Sequence, residues 1–380
     1  MKNTVLILSV LLLFSCKSSD ESKISEGIKH LEFKIDTVMV DAKDEILMAG
    51  SNLYMSDLSK DKQYLFKFDD KQYLLEMIDL DNLELVRKIQ FEKDGPKGLG
   101  TYLNFFSYIS EDEYAFSSFM NSLIVNEKGE RLWEFNFRNQ KFEGEQLDEG
   151  EDLSPGYTFT KGKDEFYTRI SKHPKHSNFI AKVNTIENTV KRIEIPQFEK
   201  LKDFQIHMEM EGRGMMTLHS SIYLQPWNDD LIISNNIFNE IIIYKSKEDT
   251  VIERNFESKL TPNSKTANFK TLVTSQEEMG AEYGKMKSQI EFGPFLFDES
   301  NNRYYRLSNL SKLNPDGEFE KSDVFLTVFD KDLQMIGEAK ISEYEKSPSS
   351  SHFTKDGAIW LHENIDDELG FIRIKVLENS

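Results

Sequence analysis

The sequence predicts an all-β fold, a six-bladed β-propeller built from four-stranded antiparallel blades. Short runs rich in Tyr, Phe, Ile and Val recur from end to end, set apart by Asp, Asn, Lys and Gly clusters that favour turns. A strand–turn–strand unit repeats at a spacing near the roughly 40 to 50 residues of a propeller blade. Long amphipathic helices are nearly absent.

The repeating unit is clearest at residues 73–80 (YLLEMIDL) and 83–91 (LELVRKIQF), which flank a turn on Asp81-Asn82. It returns at 122–125 with 131–137, at 179–183 with 190–196, at 240–244 with 251–256, and at 324–329 with 335–341. Their turns are Glu127-Lys128-Gly129, Ile186-Glu187-Asn188, Lys247-Glu248-Asp249 and Asp330-Lys331-Asp332. A second strand pair precedes each unit: 52–56 with 63–68, 105–110 with 113–119, 156–160 with 165–170, 221–225 with 230–235, and 293–297 with 303–307. Each unit therefore supplies four strands.

The ends complete the ring. The last unit, 351–354, 358–362 and 370–376, stops at three strands, while residues 31–40 (LEFKIDTVMV) form an alternating strand with no neighbour to pair with. Pairing the first strand with the last three leaves no open edge. Residues 31–380 then form one domain of six blades, and a seventh stays open because 42–58 has room for further strand. One segment breaks the pattern: Met279, Tyr283, Met286 and Ile290 fall at helical spacing, and Thr274 or Ser275 with Glu277 or Glu278 has the form of a capping box. This predicts a helical insertion, about residues 262–290, between the fourth and fifth blades, packed over one face of the ring or closing it as a lid.

The N-terminus carries an address. A charged start is followed by an apolar run at 5–13, too short for the roughly 20 residues of a spanning helix, and then by Phe14-Ser15-Cys16. Leu13-Phe14-Ser15-Cys16 resembles the bacterial lipobox. It implies a signal peptide over residues 1–15, a lipid on Cys16 that holds the chain to the membrane, and a flexible tether over 16–30. Lys17 stands where an aspartate would resemble an inner-membrane retention signal, which favours the outer membrane. Asp20-Glu21 resemble the acidic pairs of surface-exported Bacteroidota lipoproteins, and a plain solvated linker reads equally well.

Charge and cysteine usage narrow the partners. Lys plus Arg number 47 against 66 Asp plus Glu, a net charge of −19 that becomes −20 when Lys2 leaves with the signal peptide. Such a surface repels phosphate backbones, so nucleic acid is not an expected partner. Cys16 is the only cysteine; once lipidated it leaves no thiol for a disulfide, a thiolate metal site or a nucleophile.

Residues 91–100 read FEKDGPKGLG. Gly95, Gly98 and Gly100 allow backbone conformations closed to other residues and Pro96 fixes one dihedral, so the segment is a structural turn between blades. A strand pattern follows it, whereas a phosphate cradle needs a helix there. Together with the lipobox and the irregular blades, this turn resembles the Bacteroidota lipoproteins that carry a six-bladed propeller domain of unknown function. The resemblance implies a fold and an envelope address, and no activity.

Chemical motifs are sparse. His173-Pro174-Lys175-His176 brings two histidines close, but Pro174 opposes the helix that would align them; His30, His207, His219, His352 and His362 are scattered. No Gly-x-Ser-x-Gly elbow, His-Glu-x-x-His pair or EF-hand loop occurs. The reading is a non-enzymatic propeller, without cofactor, that binds a ligand, an envelope protein or a glycan. Trp227, Tyr304 and Tyr305 are its candidate aromatic anchors, with core packing as their other role. The alternative is a metal-dependent hydrolase of lactonase or esterase type, with a calcium-like divalent ion in the axial channel and Asn235, Asn236 and Glu363 near it.

Overall fold

Strand reversals in this chain are organised by side chains that cap their own turns. Asp69 accepts from the Lys71 and Gln72 amides, Asp79 from Asp81 and Asn82, Asn184 from Ile186 and Glu187, and Asp330 from Asp332 and Gln334, all at 2.8–3.1 Å. The residue that closes each of these turns takes a left-handed conformation: Tyr73, Leu83, Asn188 and Leu333 have φ of 52–60°. Asx capping of this kind competes with continued strand and fixes hairpin register. It also accounts for Asp330, whose carboxylate holds its own turn.

The computed structural model describes residues 29–47, 53–138, 140–160, 163–172, 176–210, 214–314, 318–349 and 351–377. Cys16, the expected signal peptide and most of the expected tether lie outside the described residues. Among the described residues, six sheets contain four antiparallel strands each. The first sheet comprises Ser56–Leu58, Tyr64–Asp69, Leu74–Asp79 and Glu84–Gln90, and the second Leu103–Ser110, Glu113–Ser118, Asn121–Val125 and Arg131–Asn136. The third comprises Asp152–Phe159, Glu165–Ser171, Phe179–Asn184 and Thr189–Glu194, and the fourth Ile222–Trp227, Asp230–Asn235, Glu240–Lys245 and Thr250–Asn255. The fifth comprises Glu291–Asp298, Arg303–Leu313, Phe319–Phe329 and Met335–Ile341.

The sixth sheet holds Phe353–Lys355, Ala358–Ile365 and Glu368–Leu377, and Glu32–Met39 pairs antiparallel with the last of them, from Glu32 opposite Leu377 to Met39 opposite Gly370. The two ends of the chain thus complete one sheet, as the alternating N-terminal run requires. Lys29–His30, inside the stretch expected as tether, adds a short parallel pairing with Gly337 and Glu338 of the fifth sheet.

Packing follows the same order. Phe66 and Phe68 of the first sheet meet Phe106, Tyr114 and Phe116 of the second; Phe135 of the second meets Phe166 of the third. Ile180 of the third meets Ile233 of the fourth, and Ile243 of the fourth meets Phe295 and Phe329 of the fifth. Leu307 and Leu326 of the fifth meet Ile359 and Ile374 of the sixth, whose Trp360 and Phe371 meet Leu65 and Ile78 of the first. Each sheet is therefore sandwiched between two others, and strand alternation sends successive residues to different neighbours. The result is a propeller-like all-β fold.

The predicted helix forms at Gln276–Lys287, with the Ser275 hydroxyl accepting from the Glu278 amide at 3.1 Å and the Glu278 carboxylate accepting from the Thr274 amide at 3.0 Å. Its Met279 packs with Ile206, Met208 and Val273. Those residues belong to a small sheet of Ile206–Met210, Gly214–Leu218 and Leu272–Val273, which the sequence reading did not anticipate. A nine-residue 3-10 helix, Pro196–Phe204, leads into it and buries Phe198, Leu201 and Phe204. Methionine-rich IHMEM and GMMTL carry little β-branched signal, which is why the small sheet is hard to read from sequence.

Candidate functional site

In each of the six larger sheets the strand given first above presents an edge without a partner in its own sheet, and several of these edges surround one cavity of about 430 Å³. Phe105 and Ser107 come from the second sheet, Pro155 and Tyr157 from the third, Tyr223 and Leu224 from the fourth, and Pro294 and Leu296 from the fifth. Two prolines shape it. Pairing shifts register between Leu153 and Tyr157, and again between Phe292 and Phe295, so Ser154-Pro155-Gly156 and Gly293-Pro294 are bulges on inner edge strands. Proline has no N–H to offer a ladder, so an edge bulge is where a strand tolerates it.

Bulging frees carbonyls, and the second strands take them up. Thr168 Oγ1 donates to the Ser154 carbonyl at 2.6 Å and to the Gly156 carbonyl at 3.1 Å. Arg306 Nε donates to the Gly293 carbonyl at 3.0 Å, its other nitrogens reach the Asn235 carbonyl at 2.8 Å and Asn239 Oδ1 at 3.3 Å, and its guanidinium lies 4.8 and 4.9 Å from the ring centres of Phe292 and Phe295. Burial pulls the Arg306 pKa down to about 9, which still leaves it charged at neutral pH.

Most polar groups around the cavity are likewise satisfied by protein. The Tyr157 hydroxyl bonds Ser122 Oγ at 2.6 Å, and both ends of the Gln225 amide bind the Phe295 backbone. His352 Nδ1–H donates to the Ser349 carbonyl, so Nε2 is left as an acceptor; it is buried and has no partner among the described residues. Burial pushes the His352 pKa down to about 4, which keeps the ring neutral.

Arg169 is different. It follows Thr168 on the second strand of the third sheet, opposite Ile180, and its side chain enters the cavity lining. Among the described residues no hydrogen bond or ion pair holds its guanidinium, and burial alone lowers its pKa, to about 10. It therefore stays cationic at neutral pH, half-buried in the lining of the cavity. No Asp or Glu among the described residues lines that cavity. Sequence reasoning passed over Arg169 and sorted His352 with scattered histidines; an arginine among the aromatic and aliphatic residues of FYTRI was the available signal for the first.

The residues singled out in sequence divide among several places. Gly95, Pro96, Gly98 and Gly100 form the structural turn between first and second sheets: Gly95 and Gly100 have φ of +91° and +85°, and a Cβ on Gly98 would lie 2.5 Å from the Asp94 carbonyl carbon. Trp227 and Tyr304 meet in a second cavity of about 400 Å³ beside Lys331 and Asp332, and Lys245 Nζ lies 4.7 Å from the indole. Tyr305 faces the opposite side of its strand, where it is buried; its hydroxyl donates to Asp298 at 3.0 Å and accepts from Arg303 Nε at 2.8 Å, so it is a core residue.

Asn235 Oδ1 caps the Ile237 and Phe238 amides, Asn236 Oδ1 accepts from the Ser221 amide, and Glu363 pairs with Lys346. His176 bonds Gln205 at 2.9 Å, while His173 lies outside the described residues. Among the described residues, no three His, Cys, Asp or Glu side chains converge as a ligand set.

A cyclic stack of antiparallel sheets around a lined cavity defines the class, a propeller-like all-β domain. Residues 29–340 match a domain of unknown function, DUF4221, and the chain belongs to that family. A crystal structure of a DUF4221 family member from Bacteroides vulgatus is similar with a TM-score of 0.67 at 14% identity, covering 92% of this chain and 99% of the other. The β-propeller domain of Myceliophthora thermophila Cps50 (Swd1) aligns at a TM-score of 0.40 and 8% identity, over 84% of this chain and 82% of its own. An extracellular domain from B. thetaiotaomicron aligns at 0.43 and 9% identity, over 86% of this chain and 34% of the other. No curated protein matches the sequence. No helix among the described residues is long and apolar enough to cross a membrane.

Proposed function

We propose that this DUF4221 chain is a six-bladed envelope lipoprotein of the Bacteroidota type, held to the outer membrane by lipid on Cys16, which binds a small ligand in its axial cavity without transforming it. The observation that carries the reading is the cavity itself, opened by two proline bulges on inner strands and walled by aromatic, aliphatic and hydrogen-bonding groups. A concave, partly apolar site with few polar groups is the usual form of a small-molecule site. The reading calls for no metal or other cofactor. A protein or glycan partner would engage the loop faces, with the partly exposed Trp227 as its aromatic contact.

Two measurements test it. Native mass spectrometry of the detergent-solubilised protein should show a small-molecule adduct that is released on denaturation, and Leu224→Trp, which fills the cavity, should abolish it; an adduct unchanged in that variant would place the ligand elsewhere. For the address, the wild type should partition into the detergent phase of a Triton X-114 extract and Cys16→Ser into the aqueous phase. Equal partitioning of the two would remove the lipid anchor from the account.

A further inference from the structure

We propose that the axial cavity is an anion site, and that its ligand is a small organic acid whose carboxylate or phosphate docks on Arg169 while an apolar body lies against Phe105, Tyr157, Leu224 and Leu296. This rests on the small-ligand reading above and gives that ligand a chemical class.

The fold treats its two inward arginines differently. Arg306 is fully buried, and three of its nitrogens are spent on protein oxygens. Arg169 lies one residue beyond Thr168, which closes the other bulge, yet among the described residues no acceptor reaches it. A charge withdrawn from water without a partner is costly, and such sites persist where something else supplies the counter-charge. The chain has 66 acidic residues, and among the described residues none lines this cavity. Carboxylates could have neutralised Arg169 and do not.

The shape of the head group follows from the fork. A guanidinium presents parallel N–H donors that match a carboxylate or a phosphate edge in two bonds, and that match tightens where water is excluded. The rest of the lining sets the body. Phe105, Leu224 and Leu296 give apolar wall on three different sheets, and the Tyr157 hydroxyl is already committed to Ser122. One end of the ligand is therefore charged and the remainder is apolar or aromatic.

Benzoate and its neutral isostere benzamide separate the possibilities. Titrated calorimetrically into the full-length detergent-solubilised protein, benzoate should bind at least tenfold more tightly than benzamide, and Arg169→Met should lose that tenfold preference. Because Arg169 holds no group among the described residues, Arg169→Met should melt at or above the wild-type temperature without ligand. Equal binding of benzoate and benzamide would overturn the anion site and leave the small-ligand reading standing; uptake of neither would overturn both. A large drop in melting temperature for Arg169→Met would make the arginine a structural part and also overturn the proposal.

Discussion

Replacing Arg306 by methionine should lower the stability of the protein by about 3–5 kcal/mol, the combined cost of leaving its buried acceptor oxygens without a donor. The side chain joins two sheets: it takes the Gly293 carbonyl freed by a bulge in the fifth and the Asn235 carbonyl at the end of a strand in the fourth. Methionine keeps much of the volume against Phe292 and Phe295 but leaves these buried oxygens without donors, each costing about 1–3 kcal/mol. Lysine should restore little, because one ammonium cannot reproduce the planar fork that serves Gly293, Asn235 and Asn239 together. Equilibrium urea unfolding measures the loss. A variant within 0.5 kcal/mol of the wild type, roughly the scale of an ordinary surface change, would mean that the bulge carbonyls are satisfied in another way.

Asn in place of His352 should change how stability responds to acid. His352 is buried, and its pKa, held down to about 4, lies below the ordinary 6.5. Its contribution is present above pH 6.5 and is lost as the pH falls, because the unfolded chain takes a proton that the folded ring refuses. Asp57 runs the other way. Its carboxylate accepts from the Leu58 amide at 2.8 Å and the Tyr108 amide at 3.0 Å, has no cationic partner among the described residues, and is pushed up by burial to about 6. Its folded state binds the proton more tightly, so stability is regained as the pH falls through 6.

From pH 7.5 to 5.0 the histidine loses about 2 kcal/mol and the aspartate regains roughly 1.5 kcal/mol, so the pair nearly cancels in the wild type. Asn keeps a donor for the Ser349 carbonyl and removes the titrating ring. His352→Asn should therefore show a change between these pH values about 2 kcal/mol more favourable than the wild type, whatever its stability at pH 7.5. Parallel pH responses in the two proteins would mean that His352 is not held neutral by its surroundings.

The division between what was readable and what was not follows the physics of the elements. Hairpins such as Leu74–Asp79 with Glu84–Gln90 were legible because Asx capping and alternation are local, and they sit within a residue or two of where the turn residues put them. Pairing of Glu32–Met39 with Glu368–Leu377 was legible for a different reason: a lone alternating strand at one end and three strands at the other have few ways to satisfy their edges. Ser275 was readable as a cap because its partner Glu278 is three residues away.

Long-range placement was not readable. Nothing local tells Tyr304, which packs between the fourth and fifth sheets and borders a cavity with Trp227, from Tyr305, which packs between the fifth and sixth; the strand register decides, and a one-residue slip would exchange them. Arg169 and Arg306 are both arginines in strands, and only the tertiary structure shows that one is spent on carbonyls and the other faces the cavity. The small sheet at Ile206–Met210 and its docking to the helix were missed because methionine carries weak β preference, and the parallel pairing with Leu272–Val273 joins segments far apart in sequence.

The most direct test of the axial site is a high-resolution crystal structure of the mature chain purified from its own envelope. The account predicts density for a small organic molecule in the cavity bounded by Phe105, Tyr157, Leu224 and Leu296, with an anionic group against the Arg169 guanidinium. A cavity closed by side chains, with Arg169 turned onto a protein carboxylate or carbonyl, would contradict it.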